Sequence, residues 1–315
     1  MKQHILTFLR NWTLPIALLT GVAAYFTYVS IPFLDHTHQL AAHTLAIVQP
    51  SLIFLMLFLT FCKVRPQDLH LARWQIWALL LQSIPFALGA LLLHYLPQSD
   101  WRIVIEGAML CMICPTATAA AVVTRKLGGN VGTLTAYTIV INLTVALLIP
   151  AVVPLVHPHP ELSFLHSFLL IISKVFPLLF GPFLLAMLLR RLSPKITEWF
   201  AQFRELSFYL WAIALSLAIA ATTRSIVHTT CPWPYQLGIA GASLVCCIVQ
   251  FAFGRYIGHA CNDSISAAQA CGQKNTIFAI WIGYTFMTPV TSIAGGFYSI
   301  WHNIYNSWQL YKKNK

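Results

Sequence analysis

Charge is what this chain has least of: eight acidic residues among 315, and 9% charged residues in all. A soluble domain carries roughly 25%. A water-facing surface cannot be built from so few charges, which excludes an ordinary soluble globular protein. Catalytic signatures are absent too: there is no G-x-S-x-G, no H-E-x-x-H and no phosphate-binding glycine loop. A membrane-embedded enzyme would need acids or histidines clustered at one depth, and the apolar runs lack them, so no enzyme is expected. The eight cysteines sit mostly inside apolar runs, and Cys111-x-x-Cys114 has no second such pair. Neither a disulfide framework nor a thiolate metal site follows. His36-x-His38 and His157-x-His159 lack acidic or thiol partners nearby and read as solvated loops, so no metal site is expected.

What the sequence has is apolar length. Hydrophobic residues make up 58% of it, and a helix needs about 20 mostly apolar residues to cross ~30 Å of hydrocarbon. Runs between polar breaks predict ten spans: 12–33, 45–62, 74–96, 102–124, 131–156, 164–189, 206–223, 236–258, 264–287 and 289–310. The first run is too long for a signal-peptide core, and similar runs follow to the C-terminus. The expected fold class is therefore an all-α polytopic membrane protein, with the lipid bilayer as its partner.

The net charge of +11 would suggest nucleic acid for a soluble protein. Here its placement sets orientation instead, and no nucleic-acid partner is expected. Lys2, Arg10, Lys63, Arg65, Arg73, Arg125, Lys126, Arg190, Arg191, Lys195, Arg204, Arg255, Lys312, Lys313 and Lys315 fall on one side of the expected spans; only Arg102 and Arg224 fall on the other. The positive-inside rule puts both termini in the cytoplasm, in the inner membrane if the protein is bacterial. Ser193 to Glu205, with Trp199 and Phe200 among charges, reads either as an interfacial helix or as a solvated linker.

Two expected spans are interrupted. Span 4 carries Cys114-Pro115-Thr116-Ala117-Thr118, and proline removes a donor and clashes with the preceding turn. Span 9 carries Gly272-Gln273-Lys274-Asn275-Thr276, a poor helix to face lipid. Irregular backbone at membrane depth survives only where it is buried in protein or lines a cavity. The breaks are five spans apart, and the preceding spans echo one another with Gln82 in span 3 and Gln250 in span 8. An odd repeat of five inverts the second copy, which predicts repeats over 1–156 and 157–315. Paired interrupted helices in matching positions point to a transporter's midplane site.

The run CPTATAAAVVTRKLGGNVGTLTAYTIVINL resembles the span-4 and span-5 motif of the bile acid:sodium symporter family, C-P-G-G-T-A-S-N-V-V-T followed by a G-N/D-V-A-L-S stretch. QACGQKNT resembles its E-x-G-x-Q-N motif, IWHNIYNSW its final-span signature, and Gln82 stands where the family has a span-3 glutamine. The resemblance covers the whole chain in span order. It implies a core domain of spans 3–5 and 8–10, a panel domain of spans 1, 2, 6 and 7, and spans 4 and 9 crossing at their unwound centres. It implies alternating access for a small organic anion: a bile acid, a sulfated steroid or a smaller carboxylate. The residues it draws to the substrate and coupling site are Lys274, Gln82, Asn275, Gln273, Thr116, Thr118, Thr138 and Gln250, with Pro115 and Gly272 supplying the broken backbone.

The family's sodium positions are poorly kept. Its Ser-Asn pair becomes Ala120-Ala121, its span-5 serine becomes Leu134, its span-9 carboxylate becomes Ala270, and the next-turn glutamine becomes Lys274. Sodium needs several oxygens, and these side chains supply none. No cofactor is expected beyond a sodium ion whose sites look degraded. A charged lysine at mid-membrane costs about 3 to more than 10 kcal/mol unless compensated. Every acid lies in a loop or near a span end, Glu106 being the deepest and paired with Arg102 at i, i+4. Three readings of Lys274 stand open. Its ammonium replaces the lost cation, held by helix C-terminal carbonyls, Gln82 and Gln250; or it titrates and couples transport to protons; or it packs without a transport role. Lys174 in span 6 either attracts the substrate's anionic group or snorkels to the interface. Asn142 and Asn303 either line the cavity or join helices. Sodium-coupled symport of the same substrates is the alternative function. Cys114 at the break keeps metalloid export open, and a passive channel is a further reading.

Overall fold

The computed structural model describes residues 2–95, 101–203 and 206–313, with side chains from residue 15 on, residue 35 excepted. The side chains of Lys2, Arg10, Asp35, Asp100, Arg204, Glu205 and Lys315 therefore lie outside the described residues. The described chain is all-helical: α1 (Lys2–Ser30), α2 (His38–Cys62), α3 (Trp74–Tyr95), α4 (Arg102–Ile113), α5 (Ala120–Leu127), α6 (Val131–Val156), α7 (Phe164–Leu179), α8 (Gly181–Leu192), α9 (Pro194–Gln202), α10 (Leu206–His228), α11 (Trp233–His259), α12 (Ser264–Gly272), α13 (Thr276–Phe286) and α14 (Pro289–Lys313). Two short 3-10 helices, Pro32–Thr37 and Pro66–Asp68, serve as connectors.

Each stretch expected as a span falls on one helix or on one helix pair. α2, α3, α6, α10 and α11 are individually long and apolar enough to cross a bilayer, and α7 with α8, bent by 45°, makes a sixth. That bend has a local cause. Pro177 lies in the last turn of α7 and Pro182 in the first turn of α8, so two backbone donors are missing around Gly181. The helices run past the apolar limits, α2 starting at His38 and α10 ending at His228. Backbone hydrogen bonding continues after hydropathy falls, and hydropathy alone does not see it. The segment read as interfacial helix or linker is helical over α9, with Ile196 and Trp199 exposed; its last two residues lie outside the described residues.

The turn between α5 and α6 shows how local chemistry fixes these ends. Gly128 adopts φ 86°, the left-handed conformation that closes α5 and that glycine alone adopts without a Cβ penalty. Asn130 then caps α6, its side-chain oxygen accepting from the amides of Gly132 (2.9 Å) and Thr133 (3.2 Å).

The helices pack as one continuous body. α10 packs on α1, α2 and α14, α2 packs on α8, and α7 packs on α6. α4 packs on α3, α11 and α14, while α11 packs on α12, and α13 on α14. Asp263 joins three of these helices, accepting from Trp74 Nε1 at 3.0 Å and from the Thr133 hydroxyl at 2.6 Å. One carboxylate thus joins α3, α6 and the start of α12.

Candidate functional site

Two helices stop inside this helical body, and each stop completes the other. α4 ends at Ile113 because Pro115 follows, and α5 begins at Ala120. α12 ends at Gly272 and α13 begins at Thr276. The two unwound segments meet in an antiparallel pairing of Thr116 with Lys274. The amide of Ala117 donates to the Gln273 carbonyl at 2.8 Å, and the amide of Asn275 donates to the Pro115 carbonyl at 2.8 Å. Backbone groups freed by unwinding in an apolar interior must find partners. Here they find one another.

Side chains reinforce the crossing. Thr116 donates its hydroxyl to the Ala270 carbonyl (2.8 Å), the Cys114 thiol donates to the Asn275 carbonyl (2.9 Å), and the Tyr298 hydroxyl donates to the Gly272 carbonyl (2.9 Å). Asn275 caps α13, its side-chain oxygen accepting from the Phe278 amide at 3.3 Å. Gly272 has no room for a side chain, since a Cβ there would run into the Phe251 ring.

Lys274 is 1% exposed, and its Nζ donates to the Met112 carbonyl at 3.2 Å. That carbonyl belongs to the last turn of α4, where the helix dipole presents its negative end. Among the described residues no carboxylate pairs with it. The expectation that Gln82 and Gln250 would hold the ammonium is corrected. The Gln250 amide donates instead to the Cys111 carbonyl (3.2 Å) and the Tyr298 hydroxyl (3.0 Å), bracing the crossing. Gln82 is fully buried, and neither of its polar atoms makes a hydrogen bond of normal geometry, although the buried Tyr137 hydroxyl and the Cys271 thiol lie beside it.

A cleft opens on the crossing, lined by Met56, Ala117, Thr118, Ala119, Trp211, Gln273, Lys274, Asn275, Thr276, Ile277, His302 and Asn303. Of the residues drawn to the site, Lys274, Gln273, Asn275 and Thr118 line it; Thr116 is spent on the pairing. Asn303 lines it and Asn142 does not, the Asn142 amide donating to the Leu179 carbonyl at 3.4 Å. Thr138 is buried, its hydroxyl returned to the Leu134 carbonyl of its own helix. Lys174 is exposed and not among the lining residues, its Nζ 5.7 Å from the Phe286 ring centre. The alanines at 120 and 270 and Leu134 are buried and offer no side-chain oxygen; Ala121, half-buried, likewise. Sequence reading missed Met56 and Trp211, apolar residues in apolar helices that carry no signal of facing a cleft.

Ala119, which precedes α5, and Thr276 and Ile277, which open α13, border this cleft, so the positive dipole ends of two helices approach it together with the Lys274 ammonium. Its volume is ≈ 20 Å³, room for about one water.

Paired broken helices, their breaks joined inside an apolar helical body, define the class: an α-helical integral membrane protein built as a transporter. The profile of the SBF-like CPA transporter family matches residues 69–311, and the chain belongs to that family. It is a membrane transporter of the SBF/CPA type, related to the bile acid:sodium symporters that its broken-span motifs resemble. No individual curated protein matches it.

Proposed function

We propose that this protein carries a small organic anion, bile-acid-like or a smaller carboxylate or sulfate, by alternating access and without obligatory sodium coupling. The observation that carries the reading is the Lys274 ammonium, seated against the last turn of α4 at the edge of a cleft that two helix N-termini also border. The N-termini suit an anionic head. Met56 and Trp211 suit an apolar body. The lysine brings positive charge to the place where the relatives hold a cation, while Ala120, Ala121, Leu134 and Ala270 supply no side-chain oxygen for sodium.

Ten spans in two inverted five-span repeats, 1–156 and 157–315, are the architecture that fits this reading. α4 with α5 and α12 with α13 then each count as one broken span, and α1, α7 with α8, and α14 complete the number. α1, α2, α7–α8 and α10 form a panel, and α3–α6 with α11–α14 a core that bears the crossing. Both termini face the cytoplasm. A cleft with room for about one water admits no organic anion, so transport requires panel and core to part.

The test is uptake into proteoliposomes of an anion first identified by thermal-shift screening with and without sodium. A ligand that binds the folded state stabilises it by mass action. Uptake persisting when choline replaces sodium is the expected result. Strict sodium dependence overturns the reading, as does full uptake by Lys274→Ala.

A further inference from the structure

Outside the crossing, one buried charge has no part in the reading above. Glu106 is 1% exposed, in the second turn of α4, at the membrane face that carries few basic residues. Arg102 Nε lies 2.8 Å from its Oε1, and His157 Nε2 lies 3.2 Å from its Oε2. The Thr291 hydroxyl donates to Oε2 at 2.8 Å. Because Thr291 gives its only hydroxyl proton to the carboxylate, its 2.7 Å contact with the Thr288 hydroxyl must be donated by Thr288. Arg102 also donates to the Val156 carbonyl, beside His157. One carboxylate therefore ties the start of α4 to the end of α6 and the start of α14.

The electrostatics are lopsided in a useful way. Arg102 already balances the charge of Glu106, so a neutral imidazole adds no ionic attraction. His157 Nε2 is buried against the carboxylate and makes no hydrogen bond of normal geometry among the described residues. The Arg102 and His157 side chains are 23% and 20% exposed, so water reaches the outer edge of the imidazole while the carboxylate stays dry. Among the described residues, the other titratable groups on neighbouring elements at this face are turned elsewhere or exposed, His166 of α7 being exposed and bonded to Ser163. Tyr235 of α11 lies on Trp101, while Ile239 covers Gly107. His94 and Tyr95 end α3 exposed, His228 of α10 bonds Tyr25, and Arg224 of α10 with His159 and Glu161 of the α6–α7 connection are exposed. α14 contributes hydroxyls.

From this geometry we infer that Glu106, Arg102 and His157 form a proton-binding site, and that proton uptake there latches α6 and α14 onto the first arm of the broken helix. The proton comes from water, binds the imidazole and converts its contact with Glu106 into a charge-assisted hydrogen bond. Histidine is the side chain that changes charge between about pH 5 and 8, so the latch tightens as the solution on that face acidifies.

Hydrogen exchange of the full chain in lipid nanodiscs, corrected for intrinsic rates, tests this at about pH 6 and about pH 8, which bracket histidine titration. Amides in 102–113 and 289–296 are expected to exchange about tenfold more slowly at the lower pH, the size of one added charged hydrogen bond. His157→Gln, which cannot titrate, removes the difference and exchanges fast at both; His157→Lys, charged throughout, exchanges slowly at both. Glu106→Gln also removes the step, but the two rim variants leave the buried carboxylate in place and carry the test if that variant misfolds. A pH-independent wild type, or a His157→Gln variant that keeps the step, overturns the inference. No substrate enters the measurement, so its failure leaves the transport reading standing.

Discussion

Lys274 and Glu106 are the deeply buried lysine and the deeply buried acid among the described residues, and both bear on α4. Glu106 lies near its N-terminus, and Lys274 donates to the carbonyl of Met112, six residues further on. At 1.5 Å of rise per residue that separates them by about 9 Å along the axis. The carboxylate stands toward the positive end of the helix dipole and the ammonium at the negative end, so each charge sits where the backbone favours it.

Lys274→Met separates function from stability. It keeps the volume of the side chain and removes a buried charge that no acid neutralises. Replacing such a charge with an apolar residue of similar size is neutral or stabilising by about 1–4 kcal/mol. The melting temperature in detergent should therefore hold or rise while uptake is lost. A fall in melting temperature would show that the ammonium contributes to the fold.

Gln82→Leu should behave alike for a different reason. Neither amide atom of Gln82 makes a hydrogen bond of normal geometry, with only the Tyr137 hydroxyl and the Cys271 thiol beside it, and a poorly satisfied buried amide costs about 1–3 kcal/mol of desolvation. Thermal unfolding should show the leucine variant as more stable by that order, with transport impaired if the amide meets the substrate or a water during the cycle. A less stable variant would mean that the glutamine is satisfied in the resting protein.

At Gly272 the expected change is the reverse. Alanine there drives a methyl group into the Phe251 ring, and overpacking of this kind costs about 1–3 kcal/mol. Phe251→Ala in the same chain should return part of that loss, so the double-mutant cycle gives a favourable coupling energy. Additive effects would place the clash elsewhere.

Asp263→Ala removes the acceptor shared by the Trp74 indole and the Thr133 hydroxyl. Hydrogen bonds to a charged group are worth about 1.5–3 kcal/mol each, so denaturation should report a loss of about 3 kcal/mol or more. Asp263→Asn, which keeps an acceptor oxygen, should lose less.

Much of the site was legible because its residues break local rules. Proline at 115 and three polar residues after Gly272 cannot continue lipid-facing helices, and both breaks fell where the sequence put them. The Arg102–Glu106 pair followed from its spacing alone. For Lys274 the sequence pointed to a helix C-terminal carbonyl, which Met112 supplies, and to two glutamines, which do not reach it. Gln82 and Gln250 share its depth, but reach is set by how helices rotate against one another, and rotation leaves no trace in hydropathy.

Composition and pattern by themselves determined that the chain is helical and membrane-embedded, where its helices stop, and which two of them are interrupted, because each is a matter of local backbone chemistry and of which solvent a segment tolerates. Tertiary structure alone decided that the two interruptions satisfy one another's hydrogen bonds, that Lys274 rests on the Met112 carbonyl, and that His157 and Thr291 meet Glu106. Those contacts join residues far apart in the chain, and their geometry is fixed only when whole helices pack.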